Sequence, residues 1–321
     1  WAIIICTFLL VCIGLAAIGS ATHVNQEPIG FGSLVVKQLI FFLANAAVVI
    51  GMQFLNYHRL KDWGNIIYGI TLLMLIAVMA VGTSALGAQR WIQLGPITIQ
   101  PSEFAKIILI LCTAVFLEKN YENLNTPKVL AKLAVFLAVP VGLIVAEPDL
   151  STSICVMATL FIIIFVGGLS LKLIGIMILV LVPAFGGFIW YIQQDNLPQF
   201  LKTYQINRIL GHIYGSEYGA SSDQQDNSVM AIGSGQLSGK GINNSTVATV
   251  KDTNLISEQQ TDFIFSAVGE ELGFIGSVII IAILCLIVLQ CIRVARHAKD
   301  KKGMYIATGI GALVAFQTFI N

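Results

Sequence analysis

The sequence has little charge. Asp, Glu, Lys and Arg make up 11% of its 321 residues, against 56% hydrophobic residues, where a soluble globular domain carries about a quarter charged. Together with a mean hydropathy of +0.84, that shortage excludes an ordinary water-soluble domain. Basic tails and aromatic–basic clusters are also missing, and the net charge is only +1, so no nucleic-acid partner is indicated. Six cysteines (Cys6, Cys12, Cys112, Cys155, Cys285, Cys291) stand inside apolar stretches, with no CxxC pair and no His at ligand spacing. This leaves buried, inert thiols, with no disulfide framework and no Cys-based metal site. The first apolar run lacks a basic leader and an A-x-A-like cleavage site, which argues against a signal peptide. Trp1 already lies inside that run and the last run stops at Asn321, so further chain is expected at both ends.

Long apolar blocks dominate what remains, each close to the roughly 20 residues that cross a bilayer. They predict an all-α polytopic membrane bundle, a single integral domain over 1–321. Nine spans are expected, at 1–19, 34–55, 63–82, 103–117, 128–146, 151–168, 173–192, 262–291 and 303–321. Lysines and arginines set the direction. Arg59, Lys61, Lys119, Lys128, Lys172, Arg293, Arg296, Lys299, Lys301 and Lys302 fall after every second span, with Lys132 just inside span five, whereas the opposite short loops offer Arg90, with Lys37 at a span start. By the positive-inside rule the N-terminus is cytoplasmic. Loop 83–102, the turn Glu147–Leu150 and segment 193–261 then face outward. Segment 193–261 is too long for a connector, and its apolar patches 197–201, 206–213 and 229–232 predict short helices at the bilayer surface.

Four stretches carry the chemistry. In "TDFIFSAVGEELGFIG" Thr261 is the expected N-cap, placing Asp262 in the first turn of span eight at the outer surface. Asp262 either complements the helix dipole or serves as a general base at the membrane–water boundary. Ser266, Gly269, Glu270 and Gly273 follow on one small, polar face, of the kind that faces a bundle interior or wet cavity rather than lipid. In "GAQRWIQLGPITIQPSEFAK", Glu103 and Lys106 stand at i, i+3 and can pair, as a structural ion pair or as intramembrane functional residues. Arg90 and Trp91 precede them, and Trp91 also suits an interfacial anchor. "AEPDLSTS" adds Glu147 and Asp149, the latter a natural N-cap. "NSVMAIGSGQLSGKG" fails the Walker pattern, because only three residues separate Gly235 from Gly239 and Gly241 follows Lys240. Its glycine amides with Lys240 form either a phosphate cradle or a plain glycine-rich turn.

In order and spacing these four stretches resemble the SEDS family, the RodA/FtsW/SpoVE group of bacterial wall-building membrane proteins, along essentially the whole chain. The wording of "AIGSGQLSGKG" is closer to RodA than to FtsW. The resemblance implies ten helices, one beyond the nine present, in the bacterial plasma membrane. It implies a peptidoglycan glycosyltransferase polymerising lipid II on the outer leaflet, beside a class B penicillin-binding protein. It assigns the essential aspartate to Asp262 and matches Trp91, Glu103 and Lys106 to family motif positions. Where many relatives carry Pro-Glu-x-His before this aspartate, this chain has Ser257-Glu258-Gln259-Gln260, so a His there is not required.

Chemistry and resemblance meet in an inverting transfer. Asp262 takes the acceptor hydroxyl's proton, while positive groups balance the departing pyrophosphate. Lys106, Arg90 and Lys240 are the outer-side basic candidates; a divalent cation held by the acids is the alternative, disfavoured because no DxD pattern occurs. Glu147, Asp149, Ser266 and Glu270 are further substrate-side candidates. A lipid II flippase is the competing reading, though the acids gather on one face and no inverted repeat is visible. A non-catalytic scaffold is the third.

Overall fold

A computed structural model describes residues 1–23, 34–54, 57, 60–85, 88–95, 97–147, 149–194, 206, 210, 220–242, 249, 256 and 261–320. The chain divides into two compact units, Trp1–Leu55 with Gln194–Ile287 (and the terminal Asn321), and Asn56–Gln193 with Val288–Ile320.

The first unit holds α1 (Ala2–His23) and α2 (Leu34–Met52), which pack together. It also holds a helix at Ala220–Ser234, and most of the helix Ile264–Arg296, whose last residues belong to the second unit. The second unit contains α3 (Leu60–Val81), strands β1 (Thr83–Ala85), β2 (Ala88–Leu94) and β3 (Ile97–Ile99), then α4 (Pro101–Asn120), α5 (Pro127–Ala146), α6 (Leu150–Val166) and α7 (Leu171–Ile192). In chain order Ala220–Ser234 is α8, Ile264–Arg296 is α9, and Lys301–Ile320 is α10.

Among the described residues, seven helices are long and apolar enough to cross a membrane: α1, α2, α3, α5, α7, α9 and α10. The two other expected spans are helical but differ in kind. α6 has only 17 residues, and α4 carries Glu103, Lys106, Glu118 and Lys119. Local signals start several helices where they begin. Proline occupies the first position of α4 and of α5, where its missing N–H costs nothing. Asp149 caps α6 by accepting from the Thr152 amide at 3.3 Å, and Ser170 caps α7 through the Leu173 amide at 3.4 Å.

The core of the second unit is built by α4, α6 and α10. Leu109, Ile110, Leu117, Leu160, Ile163 and Tyr305 are buried there. Gly309 on α10 permits this closeness, because a Cβ at that position would stand 2.5 Å from Ile110 and 2.7 Å from Ile163.

One expectation needs correction, and another is met in part. Residues 83–99 are not a plain loop: β1 pairs antiparallel with β2 (Thr83↔Trp91, Ala85↔Ala88) and β2 with β3 (Ile92↔Ile99, Leu94↔Ile97). Gly95, at φ +65°, supplies the left-handed residue that the tight β2–β3 turn needs. In the long segment, patch 229–232 is the C-terminal part of α8, a polar helix with Val229 and Met230 exposed and Ala231 buried. Residues 197–201 lie outside the described residues, and of 206–213 only Ile206 and Leu210 are described, both buried.

Candidate functional site

In the second unit two of the motif stretches, 87–106 and the one holding Glu147 and Asp149, meet through Asp149. Its Oδ2 accepts from Gln100 Nε2 at 2.9 Å, its Oδ1 caps α6, and Arg90 Nη1 stands 3.9 Å from Oδ1. Arg90 Nε also donates to the Glu147 carbonyl at 3.3 Å. One buried carboxylate therefore ties the β2 strand, the residue before α4 and the start of α6. Trp91, next on β2, is exposed. Gln100 was not foreseen; its place just before Pro101, at the helix N-cap, was the available signal.

Glu103 and Lys106 form the expected i, i+3 pair, Nζ to Oε2 2.8 Å. The partners are unequal: the Lys106 side chain is 5% exposed and that of Glu103 is 47%. Removing either charge thus has different consequences. Glu103→Gln strips a buried ammonium of its carboxylate, whereas Lys106→Met leaves a carboxylate that water can still reach. Thermal unfolding is expected to rank Glu103→Gln as the more destabilising by about 1–2 kcal/mol, a figure reduced for the half-exposed partner. Equal melting temperatures would remove the asymmetry.

Glu147 caps the end of α5. It is 1% exposed, and neither carboxyl oxygen has a hydrogen-bond partner among the described residues. Burial, reinforced by the Asp149 charge and opposed by Arg90, pushes its carboxyl up from 4.5 to about 8. A raised acid favours the folded state fully below the unfolded value, and that contribution drains away as pH rises from about 4.5 through about 8. Glu147→Gln keeps the shape without the titration. It is expected to melt above the parent at pH 8.5, with the gap closing by pH 5. Parallel pH profiles for the two proteins would overturn the assignment.

In the first unit Asp262 stands in the turn Thr261–Phe263, ahead of α9 rather than in its first helical turn as expected. The Ser266 amide and hydroxyl both donate to the Phe263 carbonyl, at 2.9 and 2.7 Å. This closes the chain into a turn and shifts the helix start to Ile264. Asp262 is exposed and has no hydrogen bond or ion pair with another described residue. The face behind it is buried as expected: Ser266, Gly269, Glu270 and Gly273 are all inside.

Lys240 and Glu270 come together at 2.6 Å, Nζ to Oε1, and Ser234 Oγ donates to the same oxygen at 3.3 Å. Neighbouring Glu271 takes the Ser20 hydroxyl of α1, a partner 251 residues away that no sequence signal marks. The phosphate-cradle reading of 235–241 is corrected, because its amides are engaged by protein. Gly239 N–H donates to the Gly235 carbonyl at 2.8 Å, Lys240 N–H to Glu270 at 2.9 Å and Gly241 N–H to Glu271 at 3.0 Å. A Cβ on Gly235 or Gly239 would collide with the Gly269 or Glu271 carbonyl, so these glycines serve close approach of two backbones. Among the described residues no three His, Cys, Asp or Glu are grouped to hold a metal ion.

Comparison with known proteins gives a consistent result. A model of the FtsW/RodA/SpoVE cell cycle protein family matches residues 1–321. A probable peptidoglycan glycosyltransferase FtsW of Tolumonas auensis is 31% identical, over 98% of this chain and 80% of its own. The peptidoglycan glycosyltransferase MrdB of Escherichia coli K12 is 33% identical over 81% and 68%. Among solved structures, a chain of a peptidoglycan synthase complex that coordinates polymerization and crosslinking aligns with TM-score 0.79 and 25% identity, covering 99% and 84%. The rod shape determining protein RodA of Thermus thermophilus shares the fold, with TM-score 0.66 and 23% identity over 99% and 82%.

Proposed function

Because the chain belongs to the FtsW/RodA/SpoVE family of cell cycle proteins, we propose that it is a peptidoglycan glycosyltransferase polymerising lipid II, with Asp262 as the general base. The observation that carries the reading is the Asp262 side chain. It is exposed, unpartnered among the described residues, and presented by a turn that the Ser266 hydroxyl helps to close. A carboxylate in that state is open to an incoming hydroxyl.

The reaction is one inverting displacement. The acceptor sugar hydroxyl attacks the anomeric carbon of the donor, and its proton passes to a carboxylate oxygen of Asp262. The bond to the prenyl pyrophosphate breaks, and its electron pair leaves with the phosphate oxygen. Charge on that leaving group needs fixed cations, and Arg90 and Lys106 are the candidates that the sequence offers for it. Asp149 orients Arg90, Glu103 holds Lys106, and Trp91 contacts substrate. The distribution of lysine and arginine supports a cytoplasmic N-terminus, with the reaction on the outer face of the bacterial plasma membrane. The likeness to a chain of a synthase complex supports a crosslinking partner of the class B penicillin-binding type.

Purified protein given lipid II alone is the test. Glycan polymer is the expected product. Movement of lipid II across vesicles without polymer would favour a flippase, and neither outcome would leave a scaffold.

A further inference from the structure

Gly273 interrupts α9, with φ +66° and ψ −163°. In an unbroken helix the amides of Phe274 and Ile275 would bond the carbonyls of Glu270 and Glu271, four residues back. Here Phe274 N–H donates to the Gln236 carbonyl at 2.9 Å and Ile275 N–H to Leu237 at 3.2 Å. The Glu270 and Glu271 carbonyls accept instead from Lys240 and Gly241, at 2.9 and 3.0 Å. One turn therefore replaces two of the hydrogen bonds that the break interrupts, donor for donor and acceptor for acceptor. The residue that makes the first of these exchanges, Lys240, also sends its ammonium to the fully buried carboxylate of Glu270.

The geometry points to Lys240 and Glu270 as a positioning pair, clamping turn 235–241 into the helix break and so fixing the stretch Ile264–Leu272 that leads away from Asp262. This rests on the reading of Asp262 as the base. The pair acts through Asp262 rather than on substrate, and Lys240 is not a ligand of the lipid pyrophosphate. A buried carboxylate deprived of its cation is poorly tolerated, so either partner alone loosens the turn. Displacing a catalytic group by about 1 Å costs on the order of a hundredfold in rate.

Two measurements on the purified full chain decide the matter. Hydrogen exchange reads the clamp without reference to activity. Glu270→Gln and Lys240→Met are expected to speed exchange at amides 274 and 275 by about tenfold or more, and Lys240→Arg to restore most protection. Unchanged protection in both neutral variants overturns the clamp. Polymerisation kinetics read the positioning. Each neutral variant should lower kcat by about a hundredfold while KM for lipid II stays within about twofold. The Glu270→Gln/Lys240→Met double variant should be no slower than either single, since one pair is removed either way. A raised KM in Lys240→Met, with effects that multiply in the double variant, identifies a phosphate ligand and ends the positioning role. A parent chain that makes no polymer removes the activity and the positioning role with it, and the exchange measurement still decides the clamp.

Discussion

Asp262→Ala and Asp262→Asn are expected to lose polymerisation of lipid II by about a hundredfold to ten-thousandfold, the span that general-base removal covers. KM for lipid II should change little, because the carboxylate acts on a proton that moves only in the transition state. Stability should stay within about 0.5 kcal/mol, since Asp262 is exposed and has no hydrogen bond or ion pair among the described residues. That combination of lost turnover, retained affinity and unchanged melting separates catalysis from a structural cap. Asp262→Glu keeps the charge on a longer arm, and about a hundredfold loss is expected from the misplaced oxygen. The readout is initial rate of glycan formation against lipid II concentration, with a thermal melt of each variant. A variant that folds and polymerises at the parental rate would take the base away from Asp262. Retained transport of lipid II by a polymerisation-dead variant would favour the flippase.

What the sequence disclosed was whatever is local. Runs of apolar residues mark the helices because a bilayer demands length and uniformity. Pro101 and Pro127 mark starts because a first-position proline forfeits no hydrogen bond. Asp149 caps α6, and Glu103 pairs with Lys106, because both relations lie within four residues. What stayed hidden depends on separation along the chain. The sheet over 83–99 escaped because its strands have three, seven and three residues, too short for block-length reasoning. Of α8 only the apolar patch 229–232 was legible, because the rest of that helix is polar. The join of turn 235–241 to the break at Gly273, and of Ser20 to Glu271, obeys no period at all. The isolation of Glu147 was hidden for the same reason, since its neighbours come from strand, turn and helix together. The Gly-rich motif shows the consequence: its composition suits an anion, but where its amides point is settled by a helix thirty residues on.

Gly273→Ala should be strongly destabilising to the first unit. The backbone there lies in a region essentially reserved for glycine, where another residue costs about 1–3 kcal/mol. A Cβ would also collide with the Gly239 nitrogen and crowd the carbonyl carbons of Leu237 and Ser238, adding about 1–3 kcal/mol of overpacking. Together these approach a sizeable part of a total stability of about 5–15 kcal/mol. Gly186→Ala provides the contrast. That position is inside α7, with nothing within 4 Å of an added Cβ, so alanine should be neutral or stabilising by about 0.5–1 kcal/mol. Thermal melts in one detergent compare the two directly. Gly273→Ala has one escape that avoids unfolding: α9 can straighten, returning the Phe274 and Ile275 amides to the Glu270 and Glu271 carbonyls. Turn 235–241 would then be expelled with all four of its bonds, and amides 240 and 241 would exchange freely while 274 and 275 remained protected. Loss of protection at 240 and 241 is therefore required on either route. A Gly273→Ala protein that keeps it, and melts with the parent, would mean that the break does not depend on glycine.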